Sequence, residues 1–330
     1  MKAAYIEQTG PPEVIRWGDV QTPEPGPTQV LVRTGAVAVN PIDTYIRNGA
    51  NYWALPQPFI VGCDIAGTVE AVGSDVSRFR VGDRVWGSNQ GLMGRQGSFA
   101  EFCCSDEEWL YPTPETVSDE NAAAIALVGI TAHLGLFHRA QLRAGDSVFV
   151  QGGSGGVGST VVQMAKAAGA RVIASAGTPE KAELCKRLGA DAVVQYRTED
   201  VAAAVEQFAP GGVNVFWETR REPDFDAIVP CVAERARIIL MAGRDARPPF
   251  PVGPFYVKGC SLLGFVMFKA TPDEQRTCSA DISRWLADGS LRPRIDRVMP
   301  LADTAEAHRL QEQATVHHAA ELAGKIVLTP

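Results

Sequence analysis

Residues able to do chemistry are densest from Ser147 to Gly158, where the chain reads Ser-Val-Phe-Val-Gln-Gly-Gly-Ser-Gly-Gly-Val-Gly. Gly153, Gly155 and Gly158 fall at the spacing G-x-G-x-x-G. Alone, that spacing means little in a chain with 32 glycines. It gains meaning from the apolar run before it and the amphipathic run after it, the strand-to-helix setting of a dinucleotide-binding turn. In that setting Gly153 permits the tight turn, Gly155 lets the backbone approach a pyrophosphate, and Gly158 allows close helix–strand packing. Gly156 and Val157 open the helix, whose free N–H groups and positive dipole end suit phosphates. The competing reading is a purely structural glycine turn.

The end of the next strand bears on which dinucleotide would bind. A site for NAD places a carboxylate about 20 positions on, to bond the ribose 2′-hydroxyl. Here the chain reads Ile173-Ala174-Ser175-Ala176-Gly177-Thr178-Pro179-Glu180-Lys181, with no carboxylate at the strand end. Small residues leave room, Ser175 offers a hydroxyl, and Lys181 brings a cation one helical turn further on. A 2′-phosphate is favoured by room and positive charge and repelled by a carboxylate. NADPH is therefore expected over NADH, although Lys181 can equally be an ordinary solvated lysine.

These residues need elements to position them. The first ~120 residues carry short β-branched runs punctuated by glycine and proline, among them 30–33, 67–72 and 83–86, which predicts a compact barrel-like β domain. After Ser118, a candidate N-cap followed by carboxylates, an apolar helix is expected over 121–139. Strands are expected at 147–150, 171–174, 192–195, 213–216 and 237–241, with helices at 157–168 and 180–188. That alternation predicts a parallel sheet wrapped by helices. The tail, ending in the strand Lys325–Leu328, is expected to rejoin the first domain.

Bulk composition narrows the partners. A net charge of −7 and the lack of a basic run argue against nucleic acid and anionic membranes. No stretch is read as approaching the ~18 apolar residues of a membrane span. The start, Met1-Lys2-Ala3-Ala4-Tyr5-Ile6-Glu7, lacks the apolar core of a secretory leader, so the cytoplasm is expected. Seven scattered cysteines do not form a disulfide framework, and most are expected to be buried thiols.

Further segments carry a resemblance. They are Pro25-Gly26-Pro27, Asn40-Pro41-Ile42-Asp43-Thr44-Tyr45-Ile46-Arg47, Gly62-Cys63-Asp64-Ile65-Ala66-Gly67 and Gly82-Asp83-Arg84-Val85. Gly129-Ile130-Thr131-Ala132, the glycine turn, Leu188-Gly189-Ala190-Asp191 and Gly324-Lys325-Ile326-Val327 follow in order. With these the chain resembles, over essentially its full length, the zinc-free quinone oxidoreductases of the medium-chain dehydrogenase/reductase superfamily, including the zeta-crystallin-like branch. The resemblance implies an α/β protein: a discontinuous GroES-like catalytic domain, 1–121 with 266–330, and a Rossmann domain, 122–265, with the active site in the cleft joining them. It implies that Asn40 and Thr131 contact the nicotinamide ribose and carboxamide region. Lys181 and Tyr196 would hold the 2′-phosphate. Gly243 would sit beside the nicotinamide, and the segment from Phe265 to Phe268 would add backbone contacts. A homodimer is also implied.

By the same resemblance, the zinc ligands of related enzymes would fall at Asn40 and at Gly62-Cys63-Asp64. A catalytic zinc needs three protein ligands, and none of the five histidines lies near these positions in sequence. No metal is therefore expected, and Cys63 has the plain alternative of a buried small residue. Without a Lewis acid, a simple ketone or alcohol is a poor substrate. A quinone or enone is already polarised by conjugation, so hydride can add to carbon while the protein orients it and stabilises the developing oxyanion. Tyr45 and Tyr52 are the candidate donors to that oxygen, or else aromatic packing residues. Trp53, Phe59 and Phe268 could wall the substrate.

One segment departs from the family, which shows Asp-x-x-Gly after the strand at 213–216. This chain reads Trp217-Glu218-Thr219-Arg220-Arg221-Glu222-Pro223. With Arg244, these arginines could select an anionic substrate. The preferred alternative is a solvated cluster paired with Glu218 and Glu222. The functions in play are an NADPH-dependent quinone or enone reductase, an enoyl-thioester or 2-alkenal reductase, and a non-catalytic NADPH-binding protein.

Overall fold

The computed structural model describes residues 1–50, 53–317 and 322–330. The chain forms two compact units, Met1–Ile130 with Ala270–Pro330, and Thr131–Lys269. The change of unit falls within the helix Asp119–His133 rather than ahead of it. Ser118 starts that helix, its Oγ accepting the Asn121 N–H at 3.3 Å.

The first unit is organised by the ten-residue strand Gln29–Ala38. It runs antiparallel to Ile65–Val72 and to Phe102–Asp106. Ile65–Val72 passes the sheet on to Arg84–Gly87, which pairs with Leu110–Pro112. Alternate residues of a strand share a face. Val30, Val32, Ile65, Val69, Val85, Cys103 and Leu110 accordingly pack into one buried core. Lys325–Thr329 pairs antiparallel with the far end of Gln29–Ala38, and Ile295–Pro300 lies parallel beside it. The tail thus rejoins the first unit as expected.

A short helix, Pro41–Arg47, follows the central strand and is started by a capping box between Asn40 and Asp43. It delivers Arg47 into the interior, where the side chain is fully buried. The guanidinium donates to the Gly10 carbonyl at 3.0 Å, to Asn48 Oδ1 at 2.9 Å and to the Glu312 carboxylate. His308 lies against it, Nδ1 at 3.5 Å. Burial, then the Arg47 charge, pushes His308 down to about 3, so it stays neutral.

In the second unit, six parallel strands form one sheet. They are β1 (Ser147–Val150), β2 (Arg171–Ala176), β3 (Ala192–Gln195), β4 (Val213–Glu218), β5 (Val232–Leu240) and β6 (Ser261–Gly264). Their spatial order is 3-2-1-4-5-6, the Rossmann order, which opens a ligand crevice beyond the carboxyl ends of β1 and β4. The rings of Phe149 on β1 and Phe216 on β4 stack at 4.6 Å between centroids, at the heart of this unit's core.

The expectation that no stretch could span a bilayer needs correction. Asp119–Arg139 is long and apolar enough by length and composition, but most of it is buried inside the protein, as a core helix is. All seven cysteines are free, and five are buried.

Breaking a buried pair by removing one partner typically costs about 3–5 kcal/mol. Glu312→Ala is therefore expected to cost about 3 kcal/mol in urea unfolding, because Arg47 is left charged and uncompensated. A loss below about 1 kcal/mol would mean the pair is not a major support of the first unit.

Candidate functional site

The carboxyl end of β1 runs straight into the glycine turn. Gln151 N–H donates to the Trp217 carbonyl on β4 at 2.9 Å, and Gly153 N–H donates to the Ser175 carbonyl on β2 at 3.0 Å. The turn is thereby tied to both neighbouring strands. The left-handed residue is Gly152, with φ +68°, and not Gly153. Gly153 is needed for packing instead: a Cβ there would lie 2.6 Å from the Ala174 Cβ and 3.1 Å from the Cys185 sulfur. At Gly158 a Cβ would collide with the Gly152 carbonyl oxygen at 2.2 Å.

Gly155 differs from these. A Cβ there would meet only the Gly152 oxygen, at an ordinary 3.5 Å. The residue is exposed and caps the helix Gly156–Ala167 without any side-chain hydrogen bond. The first N–H groups of a helix have no intrahelical acceptor, so those of Gly156, Val157 and Gly158 are left without one, next to a Gly155 that is open to solvent. That is the shape and polarity a pyrophosphate requires, and the residues present fit a dinucleotide.

Ser175 is not aimed at a ligand. It is buried, and its hydroxyl accepts the Gly152 N–H at 2.9 Å, which fixes the left-handed residue. Beyond it, the Tyr196 hydroxyl would lie 2.8 Å from a Cβ on Gly177, so glycine is what admits the ring beside the strand end. Tyr196 is exposed and Lys181 half-buried. Thr178 caps the helix Pro179–Arg187 by accepting the Lys181 N–H. Glu180 shares this turn; hydrogen bonds from its own N–H and from Thr178 hold its carboxyl below the usual range.

At the carboxyl end of β4, Thr219 donates its hydroxyl to the Gln151 carbonyl at 2.8 Å. Glu218 is buried, and Arg220 closes on it with Nη2 at 2.6 Å and Nε at 3.0 and 3.1 Å from the two oxygens. The Arg220 N–H adds a fourth bond at 2.6 Å. Burial opposes the Arg220 charge, but the Glu218 carboxylate outweighs it and raises the guanidinium pKa. Gly243, at φ +84°, lies against the Arg221 carbonyl, 2.4 Å from where its Cβ would be. Arg221 and Arg244 are exposed. The Phe265 ring packs edge-on to Trp217 at 6.4 Å. Thr131 is buried and Phe268 half-buried.

In the first unit, the positions compared with zinc ligands are already engaged. Asn40 is fully buried, and its Nδ2 donates to Asp64 at 2.7 Å and to the Ala38 carbonyl at 3.2 Å. Its Oδ1 accepts from the Lys325 ammonium, which also donates to the Val39 carbonyl at 2.8 Å and lies 3.9 Å from Asp64. The second Asp64 oxygen accepts the Leu127 N–H at 3.1 Å. Burial raises the Cys63 thiol, with Asp43 and Asp64 adding to it, so it stays protonated. A divalent ion needs lone pairs from these groups, yet one of them donates a hydrogen bond and a cation already sits among the others. The donor set does not fit zinc. Tyr45 is half-buried, as is Trp53, while Phe59 lies in the interior. Tyr52 lies outside the described residues.

Comparison with known proteins agrees with this geometry. Residues 26–115 match the alcohol dehydrogenase GroES-like domain, and residues 156–284 match the zinc-binding dehydrogenase family. The chain is 32% identical to a quinone oxidoreductase of Sus scrofa over 99% of its length and 97% of the relative. It is 34% identical to one of Pseudomonas aeruginosa over 93% of each. The chain belongs to the quinone oxidoreductases.

This branch is the zinc-free one of the medium-chain dehydrogenase/reductase superfamily, and its members are NAD(P)H-dependent oxidoreductases acting on small molecules. A 2-haloacrylate reductase of Burkholderia is 29% identical, over 93% of this chain and 94% of the relative. Among solved structures, an NAD-dependent alcohol dehydrogenase is 31% identical with a TM-score of 0.90, each chain covered fully. A mycobacterial protein complexed with NADPH is 32% identical with a TM-score of 0.86, again over both full chains.

Three features of this quinone oxidoreductase lay beyond the motif spacing. Gly152 takes the backbone strain, Lys325 supplies the cation beside Asn40, and Thr219 holds the turn from β4. Gly152 and Thr219 leave a faint trace, as neighbours of recognisable segments. Lys325 leaves only its place in a closing strand.

Asp43 belongs to the same buried cluster, its Oδ2 accepting the Asn40 N–H at 2.7 Å. Burial pushes its pKa from 3.8 up to about 7, Asp64 adding to the effect while Cys63, the Asn40 N–H and Lys325 hold it back. Between those values the folded state binds more protons than the unfolded state, so this contribution is present at low pH and lost as pH rises through about 7. Asp43→Asn is expected to remove a slope of up to about 1.4 kcal/mol per pH unit. Denaturant titrations at several pH values would show it, and an unchanged slope would place the proton elsewhere.

Proposed function

We propose that this chain is an NADPH-dependent reductase that adds hydride to a carbon of a quinone or other conjugated carbonyl, without metal. The observation that carries the reading is the commitment of Asn40 and Asp64 to the Lys325 ammonium. With no Lewis acid held there, the substrate must arrive polarised, and conjugation provides that polarisation. NADPH, when bound, supplies the hydride. The chain binds, orients and stabilises.

The uncapped turn at Gly155–Gly158 takes the pyrophosphate, Gly153 and Ser175 hold it in shape, and Lys181 with Tyr196 faces the 2′-phosphate. The neutral strand end and the NADPH complex of a full-length mycobacterial relative support that cofactor. The NAD-dependent enzyme of the same fold makes NADH the alternative to exclude. Thr131, Gly243, Phe265 and Phe268 line the nicotinamide end. Asn40, the cap of the helix Pro41–Arg47, has its side chain buried and committed to Asp64 and Lys325. Tyr45 and Tyr52 donate to the oxygen that becomes negative.

A second reading, reduction of a conjugated acid, draws on the 2-haloacrylate reductase relative and on the exposed Arg221 and Arg244 beside Gly243. Arg220 takes no part in it, because Glu218 occupies its guanidinium. A homodimer is also proposed. The helix Val252–Val257 has no buried residue, Val257 is 74% exposed, and β6 is an edge strand carrying the exposed Leu262. Light scattering should return twice the chain mass.

Two experiments test the main reading. NADPH consumption with 1,4-benzoquinones, enones and acrylates is expected to be fastest with quinones or enones, and at least tenfold less efficient with NADH. Equal or better use of NADH would refute the cofactor assignment. Gly155→Ala is expected to leave the melting temperature unchanged, because its Cβ meets no crowding, while NADPH binding weakens at least tenfold. Gly158→Ala should lose stability and binding together. Unimpaired binding by folded Gly155→Ala would remove the turn from the site.

A further inference from the structure

We propose that Arg220 is a positioning residue for cofactor binding: it neutralises the buried Glu218 carboxylate so that the glycine turn can accept the negative charge of a dinucleotide. The proposal rests on the reading of that turn as the pyrophosphate site.

Three observations place Glu218 close enough to matter. The residue before it, Trp217, accepts the Gln151 N–H at 2.9 Å. The residue after it, Thr219, donates to the Gln151 carbonyl at 2.8 Å, and its Oγ1 would be 3.1 Å from a Cβ on Gly152. The residues on either side of Glu218 are thus both tied to the turn, which holds Glu218 next to it in the chain. Only 1% of its side chain is exposed, so water does little to screen it. An unpaired carboxylate there would repel the phosphates that the helix N-terminus attracts.

Arg220 resolves that conflict. Its fork reaches both Glu218 oxygens through Nε and Nη2, the two-point geometry that suits guanidinium and not ammonium. Its N–H satisfies one oxygen again. Arg220 is therefore an internal counter-ion rather than a hook for substrate. The same bonds pin the segment that carries the Arg221 carbonyl onto Gly243, so charge and loop position are set by one pair.

The test is binding, read by NADPH fluorescence titration and by melting-temperature shift on the full chain. Arg220→Gln is expected to raise the NADPH Kd at least tenfold, about 1.4 kcal/mol. The double variant Glu218→Gln/Arg220→Gln is expected to return to within about threefold of the wild type, since no charge is left to neutralise. Wild-type affinity in Arg220→Gln overturns the proposal, as does a double variant that binds no better than the single. If Arg220→Gln fails to fold, Arg220→Lys decides: the charge remains and the fork does not, so affinity within about threefold supports neutralisation and a tenfold loss overturns it. A wild type that binds NADH but not NADPH overturns the NADPH assignment alone, and the series is then read with NADH. Binding of neither by the wild type overturns the cofactor reading and this proposal with it.

Discussion

The first unit depends on how one buried cation is neutralised. Lys325 carries its ammonium into the interior from the last strand of the chain, where burial lowers its pKa while the Asp64 carboxylate, and Asp43 when ionised, work to keep it charged. It finds a carbonyl at Val39, an amide oxygen at Asn40 and a carboxylate at Asp64. Those partners belong to two separate segments, 39–40 and the loop that carries Asp64, so the ion joins the tail to the capping box of the helix Pro41–Arg47 and to the loop before Ile65. The chemistry follows from the same bonds. Groups that would have to present lone pairs to a metal are spent on a lysine.

The second unit solves an opposite problem. On the proposed reading its glycine turn meets phosphates, which a nearby unpaired carboxylate would repel. Backbone geometry does most of this: Gly152 turns the chain, Gly153 and Gly158 close the packing, and Gly155 leaves space. Side chains work behind it. Ser175 and Thr219 grip the turn from β2 and β4, and Arg220 pairs with the buried Glu218.

Much of this was legible from sequence, and the limits are physical. The strand at 147–150 was placed to the residue because burial on both faces leaves a run rich in β-branched and aromatic residues, and the edge strand at 192–195 was placed equally well although only Val194 in it is buried. The return of the tail was expected from order and resemblance. The Glu218–Arg220 pair was foreseeable as well, since its partners are two residues apart. By contrast, Lys325 and Asn40 are 285 residues apart, and no local pattern links them. Nor could spacing decide whether Gly152 or Gly153 would take the positive φ, because their difference comes from Ala174 and Cys185 packed against one of them. Ser175 offered a hydroxyl to a phosphate on paper and gave it to Gly152 in the fold. Substrate identity was least legible, because loops rather than the scaffold determine it.

The most direct measurement is the fate of a labelled hydride after the protein has been dialysed exhaustively against a chelator. With NADPH deuterated at the transferring position and an enone as acceptor, activity should persist unchanged. The deuterium should appear on the carbon β to the carbonyl, with a solvent proton at the α carbon. Activity that vanishes on chelation and returns with zinc, or deuterium found on the carbonyl carbon of an alcohol product, would contradict a metal-free reduction of conjugated substrates.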